Sequence, residues 1–263
     1  MSEENESIRP KIPYGPTRPN PARIYDYWLG GKDNYACDRD VGDQVALTAP
    51  WAVMGARASR AYLRDSVLWL AGQGIDQFID IGSGLPTAGN VHQIAQRVNE
   101  HARVIYVDHD PVVLAHARAL MADDPGVLVL EGDLCDPMGI LADVRRHSEI
   151  VDLGRPVAVL LSAIIHFISD VFRPERILRT LREALASGSY FMISQVVADD
   201  DDMGSATRAA AVRYSVQAGA FTPRTTQQIV GLFEGLEIVK PGICRLRHHG
   251  RAVPVLGGIG RRP

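Results

Sequence analysis

Cysteine is scarce in this sequence, and its charges nearly cancel. The three cysteines, Cys37, Cys135 and Cys244, lie far apart and form no C-x-x-C pair, which argues against a structural zinc site or a disulfide framework. A net charge of -3 with a pI near 6.2 offers no general attraction to phosphate backbones or anionic membranes. A nucleic-acid partner is therefore not expected. Long apolar runs are missing as well. The longest, Pro156 to Ile168, is interrupted by Ser162 and His166 and falls short of the roughly 20 residues a membrane span requires. The opening Met-Ser-Glu-Glu-Asn-Glu lacks the positive and apolar regions of a secretory signal, so a cytoplasmic protein without a membrane partner is expected. No His, Asp and Cys residues cluster with metal-ligand spacing. The acidic run Asp199 to Asp202 reads as a solvated loop, His248-His249 has no companion ligands nearby, and no metal is expected.

What is present is a chain of 263 residues, 46% hydrophobic, long enough for one large α/β domain with an appendage. Prolines at 10, 13, 16, 19 and 21 bias residues 1–18 toward an extended, mobile arm. Residues 19–74 read as a helical extension. Its first helix, Pro21 to Leu29, has Asn20 as cap, Pro21 at the first position and Gly30-Gly31 as stop. Two more helices follow, over Asp38 to Leu47 and Ala52 to Ala71. From 75 to 263 apolar strands alternate with helices: QFIDI, RVIYV, VLVLE, VAVLL and SYFMISQVV, with helices over Asn90–Glu100, Asp110–Met121, Pro137–His147, Arg173–Ala186 and Ser205–Ala218. Such runs suit a mostly parallel sheet covered on both faces. LEIV and AVPVLGGIG, with no helix between them, read as a terminal antiparallel pair.

Chemistry concentrates at the strand ends. Asp80-Ile-Gly-Ser-Gly-Leu-Pro-Thr-Ala-Gly-Asn90 leaves the first strand and enters a helix, and Gly82 and Gly84 permit close ligand approach. A dinucleotide fingerprint needs glycine at position 87, where Thr87 stands. An acid two residues before the first glycine is instead typical of S-adenosylmethionine enzymes, where it helps fix the glycine loop and the methionine ammonium. Asp108 ends the second strand 24 residues after Gly84, near the spacing of a ribose-hydroxyl acceptor. Asp133 follows the third strand, the usual place for a side chain that reads the adenine amino group. Ser83, His109 and Leu134 flank these groups and complete the expected cofactor contacts here. Singly, the three acids could be a loop brace, a helix cap and a turn residue. Ser162 and His166 follow the fourth strand, where acceptor-facing groups lie. Ser162 is also a cofactor contact in this reading, and His166 is either a general base or a structural hydrogen-bonding residue.

The segments PARIYDYWLGGKDNYACDR, GARASRAYLR, QFIDIGSGLPTAGNVH, VIYVDHDPVVLAHARAL and SAIIHFISD resemble an actinobacterial S-adenosylmethionine-dependent methyltransferase family long catalogued as a domain of unknown function. The resemblance runs from about Arg18 to the C-terminus. It implies a class I methyltransferase, Rossmann-like fold with a seven-stranded sheet. Pro86 stands where the wider class often has a third loop glycine. The resemblance also picks out Tyr25, Asp26, Tyr27, Gly31, Lys32, Asp33 and Asn34, a segment that is either a lid over a ligand or a helix docked on the core. As a lid, it brings Tyr27, Lys32 and Asn34 to the cofactor and Tyr25 to the substrate. Arg57 and Arg60, also within the resemblance, are candidates to bind a carboxylate of cofactor or substrate. The expected function is methyl transfer from S-adenosylmethionine, with S-adenosylhomocysteine as product, to a small-molecule or protein nucleophile, a small molecule being the favoured acceptor. A non-catalytic binding module for the same cofactor is the alternative, and a nicotinamide oxidoreductase is a distant third.

Overall fold

The computed structural model describes residues 15–86, 89–121 and 123–263. Most of the arm expected over 1–18 lies outside these residues, and Thr87 does too. Helix α1, Pro21–Leu29, starts and stops as its caps dictate. The Asn20 side chain accepts from the Arg23 N–H, Pro21 opens the first turn and Gly30 closes the helix in the left-handed region at φ 85°. Two more helices follow, α2 over Ala36–Thr48 and α3 over Ala52–Gly72. A buried ion pair between Arg23 Nε and Asp38 Oδ2, at 2.7 Å, ties α1 to α2.

Strands β1 (Gln77–Ile81), β2 (Arg103–Asp108), β3 (Val127–Glu131), β4 (Ala158–Ser162) and β5 (Tyr190–Val196) are parallel. Helices α4 (Val91–Ala95), α5 (Pro111–Met121), α6 (Pro137–Arg146) and α7 (Pro174–Ala184) connect them in turn. After β5 come α8 (Asp202–Ala218), α9 (Thr226–Gly231), β6 (Glu237–Ile238), β7 (Cys244–His248) and β8 (Arg251–Arg261). The sheet runs β3-β2-β1-β4-β5-β8-β6, the expected seven-strand path, with β8 antiparallel to both β5 and β6. β7 is a further strand, paired with β8 across a two-residue turn in which His249 and Gly250 both have positive φ, the backbone a tight hairpin favours.

One apolar layer, built on Ile79, Ile105, Val159 and Ile193 of the strands, receives Leu141 of α6, Leu178 of α7 and Ile229 of α9. On the other face, Phe78, Leu160 and Met192 pack with Leu63, Val67 and Leu70 of α3 and with Ala117 and Met121 of α5. A third cluster joins Ile24 of α1, Val41 and Val45 of α2 and Ala210 and Tyr214 of α8. β3 is half-buried because it is an edge strand, so full burial on both faces holds for β1 and for most of β2, β4 and β5. The helix expected to reach Glu100 ends at Ala95. There the Gln96 amide turns to Ala102 and Asp124, and the Asn99 side chain accepts from the His101 N–H, so local side-chain bonds replace helical ones. No helix among the described residues is long and apolar enough to cross a membrane.

Candidate functional site

The chain runs outward through β1, β2 and β3 and then returns to β4 on the far side of β1. A crevice therefore opens at the carboxyl ends of β1 and β4, where open α/β sheets bind ligands. The loop leaving β1 enters it through two left-handed glycines, Gly82 at φ 71° and Gly84 at φ 66°. At Gly82 a Cβ would lie 2.4 Å from Cγ1 of Ile164, in the segment after β4, whereas at Gly84 it would meet nothing within 4 Å among the described residues. Gly82 is thus fixed by protein packing, and Gly84 borders open space.

Asp108 braces this loop from the neighbouring strand. Its Oδ2 accepts from the Gly84 N–H at 3.0 Å and its Oδ1 from the Asp110 N–H at 3.0 Å. Burial raises its carboxyl above the usual range, opposed by those N–H donors and by His109. Asp80 is buried too, and burial pushes it up to about 7, with Arg60 pulling it down and Asp108 adding to the rise. Arg60 of α3 donates to the Gly89 carbonyl at 3.0 Å, so one guanidinium both holds the far end of the glycine loop and faces Asp80. Asp133 accepts from the Cys135 N–H at 2.9 Å and shapes the turn after β3, beside buried Leu134. His109 is half exposed, its Nδ1 3.8 Å from Asp108.

The N-terminal segment is held by polar bonds that sequence reading did not find. The Asn20 amide donates to Asp110, linking the start of α1 to the turn that Asp108 caps. Asp26, buried inside the α1 turn, accepts from the Asp33 N–H and from the Asn34 amide, each at 2.9 Å. A Cβ on Gly31 would lie 1.9 Å from the Asp26 carboxylate, so the second glycine is there for close approach. Tyr27 donates to Asp43, Tyr25 to the Ala56 carbonyl, and Arg57 to the Trp28 carbonyl. Lys32 is exposed. Among the described residues no hydrogen bond or ion pair joins Tyr27, Lys32 or Asn34 to Asp80, Asp108 or Asp133.

Past β4, Ser162 Oγ lies 3.5 Å from Ser194 Oγ, and the Ala163 N–H donates to Ser194 with φ at 55°. His166 is 5% exposed and its Nδ1 has no hydrogen-bond partner among the described residues. Burial, with Arg224 adding to it, lowers its pKa to about 3, so the imidazole is neutral at physiological pH. Arg224 is the cation that sequence reading missed. Fully buried, it donates to the carbonyls of Ile165 at 3.0 Å and Ile168 at 2.8 Å and to Asp170 at 2.6 Å, so it fixes the segment that carries His166. Nothing in its sequence neighbourhood distinguishes it from a solvated arginine. The acidic run is structural: Asp201 caps α8 through the Gly204 N–H, and Asp199 accepts from Thr226 and Arg245.

A family model described as S-adenosyl methyltransferase matches residues 9–252. A crystal structure from Thermobifida fusca, provisionally described as a methyltransferase, is 38% identical, covers 94% of this chain and 96% of its own, and superposes with a TM-score of 0.85. A duf574 family protein from Streptomyces avermitilis is 37% identical, with 94% and 98% covered and a TM-score of 0.85. A curated relative, ribosomal RNA small subunit methyltransferase H of Bordetella avium, is 31% identical over 103 residues, which are 38% of this chain and 28% of that protein.

Proposed function

The chain belongs to the S-adenosyl methyltransferase family, and we propose that the crevice at the ends of β1, β2 and β4 binds S-adenosylmethionine and transfers its methyl group to a small molecule. The observation that carries this reading is the Gly82–Gly84 turn, held from beneath by Asp108 and opening onto free space at Gly84. Backbone that can be approached without a Cβ, flanked by two buried acids, suits a ligand with both hydroxyls and an ammonium.

In this reading Asp80 faces the amino-acid ammonium, Asp108 and His109 the ribose, and Asp133 and Leu134 the adenine. Ser83 lies in the loop between the two glycines, and Ser162 closes the β4 side. Arg60 keeps the loop in place through Gly89 and offsets the paired acids. S-adenosylmethionine, held by Asp80, Asp108 and Asp133, would supply a methyl group already activated by its sulfonium charge. The residues around the crevice therefore need chiefly to align the acceptor and exclude solvent. His166, neutral and buried, shapes that space. The near-neutral charge favours a small-molecule acceptor over a nucleic-acid one.

Calorimetry tests the assignment. The protein should bind S-adenosylhomocysteine and not NAD. Asp108→Ala, which removes the Gly84 brace, should weaken binding about five- to 150-fold, the equivalent of roughly 1–3 kcal/mol. Comparable NAD affinity, or an unchanged Asp108→Ala titration, would refute it.

A further inference from the structure

A continuous series of buried polar contacts leads from the N-terminal helices to the glycine loop, and Asn20 stands at its centre. The Asn20 side-chain oxygen accepts from the Arg23 N–H at 3.1 Å and so caps α1. Its backbone N–H donates to Asp38 Oδ1 of α2 at 2.8 Å. Its amide nitrogen donates to Oδ2 of Asp110, the residue before α5. Asn20, Arg23, Asp38, Asp108 and Asp110 are all buried, where a stranded donor or acceptor is costly, so each contact constrains the next.

From Asp110 the series continues into the site. Oδ1 of Asp110 accepts from the Val112 N–H at 2.8 Å, and the Asp110 N–H donates to Asp108 Oδ1 at 3.0 Å. Asp108 Oδ2 accepts from the Gly84 N–H at 3.0 Å. Each Asp108 oxygen thus takes one backbone donor. An ionised carboxylate offers about four acceptor positions, so capacity for ligand hydroxyls remains.

Charge explains why residue 20 is an asparagine. Three carboxylates, Asp38, Asp110 and Asp108, follow one another along the series. Arg23 answers Asp38, and His109 lies 3.8 Å from Asp108. Asp110 has no ion pair among the described residues, and the Asn20 amide is its side-chain donor. Aspartate at position 20 would cap α1 equally well, yet it would set another carboxylate against Asp110. The amide is therefore demanded by Asp110 and not by the helix cap.

We propose that Asn20 is a positioning residue for the cofactor: through Asp110 it fixes the Asp108 carboxylate beside Gly84, so that docking of α1 and α2 is coupled to occupation of the crevice. The inference rests on the cofactor reading above. It requires no contact between α1 and the ligand. Such coupling is reciprocal. Whatever factor the docked helices add to cofactor affinity, the cofactor adds to their docking.

The test titrates the full chain calorimetrically with S-adenosylhomocysteine. Asn20→Ser keeps an oxygen to cap α1 but falls short of Asp110, and it should weaken binding about three- to tenfold. Asn20→Asp also keeps the cap and opposes two carboxylates, with an expected loss of about tenfold or more. Asp110→Asn alone leaves one amide donor facing another and should weaken binding as well. Combining Asn20→Asp with Asp110→Asn restores a donor facing an acceptor, so affinity should return to within about threefold of the original protein. Simple destabilisation by each substitution would instead add, and the pair would bind worst. In the unaltered protein, saturating S-adenosylhomocysteine should slow amide exchange in α1 and at the start of α2, which decides the matter if the variants do not fold. Unchanged affinity in Asn20→Ser and Asn20→Asp, no recovery in the exchanged pair, or α1 exchange indifferent to ligand overturns the inference and leaves the cofactor reading standing. Failure of the unaltered protein to bind S-adenosylhomocysteine removes both.

Discussion

Replacing Asp80 with Asn should separate the electrostatics of the crevice from its shape. Burial raises the Asp80 carboxyl from 3.8 to about 7, even with Arg60 nearby. At 1.36 kcal/mol per unit, that is about 4 kcal/mol in favour of the neutral form. Because the folded-state value is the higher one, the unfolded chain loses this proton first as pH rises. The Asp80 contribution to stability thus falls between about pH 4 and 7 and is constant above. A cofactor ammonium beside the carboxyl reverses the preference, so binding below pH 7 must expel the proton. Affinity for S-adenosylhomocysteine should be level above about pH 7.5 and fall roughly tenfold per unit from pH 7 to pH 5. The groups facing Asp80 are Arg60, Asp108 and Tyr106, and His109 adjoins Asp108. Asp80→Asn keeps all of these, so it should flatten the profile, lower affinity at pH 8 by about ten- to 100-fold, and leave the ligand-free melting temperature at pH 8 unchanged or higher. A flat wild-type profile, or a slope that survives in Asp80→Asn, would refute the reasoning.

Two substitutions two residues apart in the glycine loop should behave differently. Gly82→Ala drives a methyl into Ile164, whereas the methyl of Gly84→Ala meets no protein atom among the described residues and occupies the space assigned to the cofactor. Gly82→Ala should therefore lower the melting temperature of the ligand-free protein the more, while Gly84→Ala should cost only roughly 1 kcal/mol of stability, the scale of one residue held in the left-handed region, and lower S-adenosylhomocysteine affinity by more than about tenfold. Equal effects on binding and melting would contradict the geometry. In the buried Arg23–Asp38 pair, removing one partner strands the other charge, so Arg23→Met should lower unfolding free energy by about 3–5 kcal/mol. Arg23→Met with Asp38→Leu should recover much of that loss in chemical denaturation, and no recovery would place the cost elsewhere.

The sequence made the carboxyl-end site legible because its signals are local. Gly82, Gly84 and Asp80 lie within five residues, and Asp108 and Asp133 each close a recognisable apolar strand. The ends of α1 were equally readable, from Asn20, Pro21 and Gly30. What stayed hidden depends on tertiary partners. Arg224 and the Arg23–Asp38 pair are charged residues whose burial follows from carbonyls and carboxylates distant in sequence. β7 reads Cys-Arg-Leu-Arg-His, a polar edge strand without an apolar run, paired through a turn that places His249 at φ 47°. α9 did carry a local sign, the capping box of Thr225 and Gln228, in which each side chain bonds the other's backbone N–H. The sequence reads Asp108 as a ribose acceptor, with a helix cap as the plain alternative. In the structure its carboxylate accepts from Gly84 and Asp110, an arrangement that leaves the ribose role as part of the proposal.

A crystal structure of the protein with S-adenosylhomocysteine tests the central claim most directly. The account predicts the cofactor across Gly82–Gly84, its ribose hydroxyls within hydrogen-bond distance of the Asp108 carboxylate and its sulfur facing Ala163 and His166. Density for the ligand away from the β1 and β2 strand ends, or a ribose with no contact to Asp108, would contradict it.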